Sequence, residues 1–530
     1  MAFQLSVAAL NRAIKHLRKY GDTDVFPHLP ELAFFRDETA AITDELKNLD
    51  LDSYNPGGAI EALAPKGRYS FRITHQLSAL DTVLLLAAAV EIGPLIEGQR
   101  TPSNGIEAFS YRFDNKEPES LFQASHTYRD WLVIQQKRVQ GNLKFKQIVV
   151  TDISDFYARI NFHRLENLLD EAAPGHGAAR YIKKTIKVIR GKQSFGLPVG
   201  GTAARILAEL ALVDTDKALI HQGLVATRFV DDFRFFLSAG ESPYDVLSFI
   251  AKQLSINEGL SLNASKTAIF TRAQFLSRLK SSIGDVEDEA KGKALEALTN
   301  DIYFDEAVEP ADIEALKALN LLGFLQDEIG KEHYDVGRIK VIFRALRIAK
   351  PAEAIDYLKS NLSELIVFAK EITLLMQGLA KDDPGCFDDI SGELVKVILK
   401  PPATSVQLIR TWLMELFVRG VVQLAAAQLK RVETLQTILD KRQTHLIRGR
   451  IGDKNFFRMN KANMGQLSAY ERSAFVLGAA CLPKDEFEKW LGTLKPVFSE
   501  PTGHIFLKWL QANKGKIFVK LSDTAEDHPE

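Results

Sequence analysis

The sequence predicts an α/β domain followed by an all-α domain, and three observations carry that division. Between about residues 66 and 285, short β-rich runs such as Gln147-Ile-Val-Val-Thr151 and Ala226-Thr-Arg-Phe-Val230 alternate with helical stretches such as Ala203 to Leu219. From 286 to 521 no strand pattern appears, and helical segments are separated by breaks at Pro310, Pro351, Pro384-Gly385, Pro401-Pro402, Gly452 and Pro483. A chain of 530 residues also exceeds what one hydrophobic core organises.

Taken in order, residues 1–65 read as a mostly helical segment with turn signals at Phe26-Pro27 and Asn55-Pro56-Gly57-Gly58. Arg12, Lys15, Arg18 and Lys19 follow the first apolar residues instead of preceding them, which is the wrong order for a secretory signal. The longest apolar stretch, Val83 to Val90, is bounded by Asp81 and Glu91. It falls short of the ~20 residues of a membrane helix, so it reads as a buried helix, and no membrane partner is expected. The spacing of the C-terminal helices suits a stacked array of loosely repeated pairs. The polar, acidic end, 522–530, is expected to be disordered.

Composition excludes several classes. A net charge of −1 with 25% charged residues rules out a general basic coat, so any nucleic-acid path must be a local strip. The two cysteines, Cys386 and Cys481, lie far apart and no C-x-x-C occurs. That argues against structural zinc or a disulfide framework and fits a reducing cytoplasm.

Four stations carry chemistry: Val150-Thr-Asp152-Ile-Ser-Asp155-Phe-Tyr157, Phe195-Gly-Leu-Pro198-Val-Gly200-Gly201, Arg228-Phe-Val-Asp231-Asp232-Phe233, and Gly259-Leu-Ser-Leu-Asn263-Ala-Ser-Lys266-Thr267. A strand ending in Asp152 and a hairpin with Asp231-Asp232 at its turn can present carboxylates to one site. Two divalent metals there would activate a 3′ hydroxyl and hold a triphosphate leaving group. An isolated Asp-Asp is usually a solvated turn; the ordered set of four is the specific signal.

The set resembles the palm motifs of reverse transcriptases. The resemblance makes Asp152, Asp231 and Asp232 the catalytic residues, with Ile153 beside them in the metal site and magnesium (two ions, or manganese) as the cofactor. Tyr157 falls at the family's steric gate, which implies deoxynucleoside triphosphates as substrates. Gly200, Asn263 and Lys266 fall in the family's nucleotide-site motifs. Tyr69-Ser-Phe-Arg72-Ile and Phe109-Ser-Tyr-Arg112-Phe look like finger motifs, and Arg72 and Arg112 would hold the triphosphate.

Val199 stands where most of the family has Gln, and Arg205-Ile-Leu-Ala-Glu209 follows. This variant is similar to the bacterial abortive-infection polymerases and the wider defence-associated "unknown group" of reverse transcriptases. The C-terminal half resembles their HEAT-like domain. The resemblance implies phage defence in the bacterial cytoplasm, untemplated synthesis of single-stranded DNA attached to a protein hydroxyl, and a trimer or hexamer. Tyr20, Tyr54 and Tyr69 are the priming candidates. Two other readings stay open: an RNA-templated enzyme copying a bound noncoding RNA, and a non-catalytic nucleic-acid-binding effector.

Three basic stretches are candidates for a nucleic-acid path. They are Lys137-Arg138 with Lys144 and Lys146; Lys183, Lys184, Lys187, Arg190 and Lys192; and Arg448, Arg450, Lys454, Arg458 and Lys461. The last mixes cations with aromatics, as a single-strand path does. For each, a solvated helix face is the plain alternative.

Overall fold

Strand β4 (Phe145–Asp152) holds the centre of the α/β half. Its Ile148-Val149-Val150 run is buried without alternation, as expected of a strand covered on both faces. In the computed structural model, which describes residues 2–102, 106–116, 120–191, 193–283 and 310–522, β4 is one of five strands in a sheet. The order is β3 (Ile106–Ala108), β5 (Ala226–Phe229), β6 (Asp232–Ser238), β4, β7 (Ala268–Thr271). All neighbours are antiparallel except β3 and β5. Helix Arg272–Ile283 packs on β4 and β7, and helix Tyr128–Gly141 packs on β5. The expected domain boundary near 285, Lys192 and the tail beyond Ser522 lie outside the described residues.

Helix Ala79–Gln99 is the hub of this half, packed by helices Val7–Tyr20, Phe162–Ala172, Gly177–Arg190 and Thr202–Ala211. The apolar stretch ending at Val90 continues past Glu91 to make a helix of 21 residues. It is long and apolar enough to cross a membrane by length and composition, and 78% of that window is buried inside the protein. Ala203 to Leu219, expected as one helix, is two, Thr202–Ala211 and Val213–His221. The helix breaks at Leu212, whose ψ of 4° leaves helical geometry.

The first 65 residues hold three helices, Val7–Tyr20, Leu32–Asp37 and Thr39–Leu46. They also hold a strand, β1 (Ile60–Pro65), where a helical segment was expected. β1 pairs with β2 (Phe71–Gln76) as a hairpin. Ile60, Ala62 and Ala64 alternate inward and pack with Val25, Phe26, Leu408 and Leu439 into a small second core.

All described elements from 310 to 522 are helical. Helices Val336–Ala349, Ala369–Asp382, Gln407–Val418, Ile438–Arg450 and Ala469–Gly478 pack each on the next in one row. Glu353–Leu365, Ser391–Ile398 and Ala426–Val432 pack against that row from outside or on each other. Each helix of the row thus packs on its neighbours in the row. Helix Gln407–Val418 is buried from Leu408 onward because β1 covers it too. Trp412 Nε1 donates to the Val25 carbonyl at 2.8 Å, and Lys370 Nζ to the Asp24 carbonyl at 2.7 Å. At the far end, Trp509 Nε1 and Lys520 Nζ both donate to Asp37.

Candidate active site

Register brings the three aspartates together. Asp152 ends β4 directly opposite Asp232, the first residue of β6, and Asp231 occupies the turn between β5 and β6. Facing residues of an antiparallel pair stand about 4.5–5.5 Å apart at Cα. The Ile153 N–H donates to the Asp231 carbonyl at 3.0 Å, tying the turn to the end of β4.

The turn is strained. Val230 has φ 55°, a left-handed conformation that a β-branched residue enters at a cost of about 1–3 kcal/mol. Two bonds hold it: the Val230 N–H donates to Ser110 Oγ at 2.7 Å, and its carbonyl accepts from Arg228 Nη1 at 3.1 Å. Behind the turn lies a buried ion network. Arg228 grips Asp216 with two bonds of 2.8 and 2.7 Å and reaches Glu209 at 2.9 Å. Arg100 Nη2 meets the same Glu209 at 2.7 Å, and Ser110 Oγ donates to it. Against burial, Asp216 and Glu209 push the Arg228 pKa up.

The carboxylates at the turn differ. Burial first, then Asp152 and Asp232, push Asp231 up to about 7. Burial also raises Asp152, with Asp232 adding to it and Lys266 opposing. Asp152 is paired with Lys266, and Asp232 Oδ1 accepts from Arg234 Nη1 at 3.2 Å. With those side chains turned onto cations, no group of three His, Cys, Asp or Glu side chains closes into a ligand set among the described residues. The strand register nevertheless sets three carboxylates at one strand end, and no ion pair holds Asp231 among the described residues. That donor set fits magnesium.

The fourth station folds onto the first. The Asn263 N–H donates to the Asp152 carbonyl at 2.7 Å, the Ser154 N–H to Ser261 at 2.9 Å, and Thr267 Oγ1 shares a 2.7 Å bond with Thr151. Lys266 is thereby delivered to Asp152. The second station joins the site at Tyr157, whose carbonyl accepts from the Leu197 N–H at 2.8 Å. The loop also accepts from the His75 N–H at Val199 and from the Asp24 N–H at Gly200. Gly200 has φ 119°, and a Cβ there would stand 2.6 Å from Thr23 Oγ1, so only glycine fits this seam. Tyr157 is half-buried; burial raises its pKa, and Arg205, Asp231, Glu209 and Asp24 act on it electrostatically.

Other expected site residues are placed elsewhere or engaged. Arg112 is buried; its Nη1 holds Glu97 at 2.8 Å and its Nη2 the Thr101 carbonyl at 2.8 Å, so its guanidinium is spent on the C-terminal end of helix Ala79–Gln99 instead of facing a triphosphate. Arg72 has its Nε buried and without a hydrogen-bond partner among the described residues. Tyr20 is buried against His16, and the Tyr54 hydroxyl donates to Asp81 at 2.9 Å. Tyr69 is 87% exposed at the turn of the β1–β2 hairpin, next to Arg68, which donates to the Ile329 carbonyl.

The basic stretches are largely folded on themselves. Arg448 pairs with Glu433 and Asp453, and Arg458 with Glu486 at 2.8 Å. Arg450 donates to the carbonyls of Val418 and Phe518 and to Ser522 Oγ. These three therefore brace the helical array instead of forming an open phosphate strip. Arg138 reaches the Ala226 carbonyl and Glu107. Arg190 locks the second station, bonding the Phe195 carbonyl, Gln193 and, at 2.6 Å, His75. Lys183 pairs with Asp170 at 2.6 Å, and Lys187 is exposed.

Two residues of consequence went unassigned in the sequence. Asp24 binds Arg205 at 2.7 Å and so anchors the helix that follows the second station. Ser110 braces Val230. Arg205 and Glu209 sit one helical turn apart, a spacing that does signal a shared face; their partners at 24, 100 and 228 are too remote in sequence to read.

Residues 99–300 match the family described as reverse transcriptase (RNA-dependent DNA polymerase). No curated protein matches the chain. Among solved structures, the apo telomerase of Candida tropicalis is similar at 13% identity over 68% of this chain and 69% of that one, with a TM-score of 0.32. Telomerase of Candida albicans in complex with a TWJ fragment of telomeric RNA is similar at 13% identity over 68% of this chain and 67% of that one, TM-score 0.31.

Proposed function

We propose, on the premise that this chain carries a reverse-transcriptase domain, that it is a phage-defence polymerase adding deoxynucleotides by two-metal catalysis, without a template and from its own tyrosine. The observation that carries the reading is the register of Asp152 against Asp232 with Asp231 in the strained turn between. Asp152, Asp231 and Asp232 would hold magnesium, with Ile153 beside them. When bound, the metal supplies activation of the attacking hydroxyl and charge for the leaving pyrophosphate.

Support for a tyrosine primer comes from exposure. Of the three candidates, Tyr20 and Tyr54 are packed or bonded inside, whereas Tyr69 stands free of the core on a hairpin turn. The same turn carries Lys66, which lies 3.2 Å from Asp155, three residues past Asp152. The helical array is then the HEAT-like scaffold of the abortive-infection group, acting in a bacterial cytoplasm as a homo-oligomer.

The test uses the full chain with magnesium and labelled deoxynucleotides, without template or primer, on a denaturing protein gel. Label that stays on wild-type protein and is absent from Asp231→Asn and Tyr69→Phe supports the reading. No label there, with extension of a supplied primer on an RNA template, replaces it with the RNA-templated reading. Defence that survives loss of both Asp231 and Asp232 leaves only a nucleic-acid-binding effector. Tyr157→Ala is expected to admit ribonucleotides; unchanged sugar selectivity removes Tyr157 from the gate.

A further inference from the structure

Two turns meet behind the aspartates, and each holds a residue with positive φ. One joins β5 to β6, where Val230 has φ 55°; the other follows β3, where Tyr111 has φ 47°. Strands β3 and β5 run parallel and side by side, and the Phe109 N–H donates to the Arg228 carbonyl at 2.9 Å. That pairing sets the two turns next to each other. Arg100 holds the second turn, donating to the carbonyls of Ala108, Ser110 and Tyr111 at 3.0, 2.8 and 3.0 Å.

Ser110 joins the two turns. It is fully buried, and its hydroxyl makes two bonds at once, accepting from the Val230 N–H at 2.7 Å and donating to Glu209. Only one placement of its single proton satisfies both. The Val230 N–H can only donate. Burial raises the Glu209 pKa, but Arg100 and Arg228 hold it below the usual carboxylate range, so Glu209 is ionised and can only accept. The Ser110 proton therefore points to Glu209 and a lone pair to Val230. Glu209 in turn belongs to helix Thr202–Ala211, which follows the Gly200 loop. A valine left to itself avoids the left-handed region, and leaving it would swing the next residue, Asp231, away. Arg228 fixes the carbonyl of Val230, and Ser110 fixes its N–H.

We propose that Ser110 is a positioning residue for the metal site: its hydroxyl, oriented by Glu209, holds Val230 in the left-handed conformation that keeps Asp231 beside Asp152 and Asp232. The role of Asp231 rests on the two-metal reading above. Through this one side chain, the helix after the Gly200 loop is tied to the turn that carries the carboxylates.

The test uses the full chain and measures magnesium binding by calorimetry and addition of labelled deoxynucleotide, in variants checked for folding by thermal melting. Ser110→Ala removes the acceptor; Ser110→Cys keeps nearly the same volume but offers only a weak sulfur acceptor. Both are expected to bind magnesium about tenfold more weakly and to lower kcat by a similar factor, with the KM for deoxynucleotide held within about twofold. Val230→Gly supplies the decisive background, because glycine adopts positive φ without a clamp. There, either change at Ser110 is expected to cost less than about twofold in magnesium affinity. Wild-type magnesium affinity in folded Ser110→Cys overturns the proposal, as packing alone would then explain Ser110. So does an equal loss of affinity in the valine and glycine backgrounds, and so does a wild-type chain that binds no magnesium. If the wild type binds magnesium and adds no nucleotide, yet Ser110→Cys weakens the metal and Val230→Gly removes that effect, Ser110 keeps its role and the polymerase reading falls.

Discussion

Two groups of acids lie on either side of the β5–β6 turn and are treated in opposite ways. Asp216 and Glu209 are buried, and each is gripped by arginines, Arg228 for the first and Arg228 with Arg100 for the second. Asp231, at the end of the strand that carries Arg228, lies between Asp152 and Asp232 and has its pKa driven up to about 7. A fold that could pair buried acids so fully behind the turn left three acids crowded at its tip. Crowded like charges are costly, and a bound cation would relieve the repulsion on Asp231.

The comparison breaks most sharply at Asp231. Asp231→Asn is expected to lower nucleotide addition about a thousandfold or more, measured by incorporation of labelled deoxynucleotide, while leaving thermal stability equal or higher because a repulsion is removed. Arg228→Met is expected to do the reverse. It strands Asp216 and Glu209 and destabilises the protein by about 3–5 kcal/mol in urea unfolding. Loss of activity there should track unfolding. A third test uses the metal itself. Magnesium at about a hundredfold over its dissociation constant should stabilise the wild type by about 2.7 kcal/mol, and chelation should reverse it. Asp231→Asn should lose that increment; an equal gain in the variant would move the metal elsewhere.

The smallest effect concerns a buried base. Both ring nitrogens of His445 lack hydrogen-bond partners among the described residues, and burial pushes its pKa down to about 4. The folded protein keeps it neutral while the unfolded chain takes up a proton below about 6.5. Stability is therefore present above about pH 6.5 and is lost as pH falls toward 4. His445→Phe should flatten that part of the pH profile of thermal unfolding, and an unchanged profile would show that the ring is protonated or solvated in the fold.

The local chemistry was legible in the sequence because it is written in short runs. Asp152 after a β-rich run, Asp231-Asp232 between two strands, and Lys266 after Asn263 all came with their elements. Their mutual approach was not, since it depends on the register of β4 against β6. β1 escaped because Ile60-Glu-Ala-Leu-Ala-Pro65 is short and rich in residues that suit helices; pairing with β2 and burial on Leu408 override that preference. Arg112 and the 448–458 cations looked like phosphate ligands because charge is visible in sequence, whereas Glu97, Glu433 and Glu486, which occupy them, are distant or unremarkable neighbours.

The four residues 22–25 bear on what can be built from this molecule. Their backbone bonds to Gly200 on one side and to Lys370 and Trp412 on the other, and Asp24 also holds Arg205. The two halves thus share residues 22–25 as a common wedge. Neither half is a portable module. A fragment beginning after the wedge would expose the seam around Gly200 and the β1 face of helix Gln407–Val418 at once. A chimera that exchanges the helical array must bring its own matching residues for positions 24 and 25.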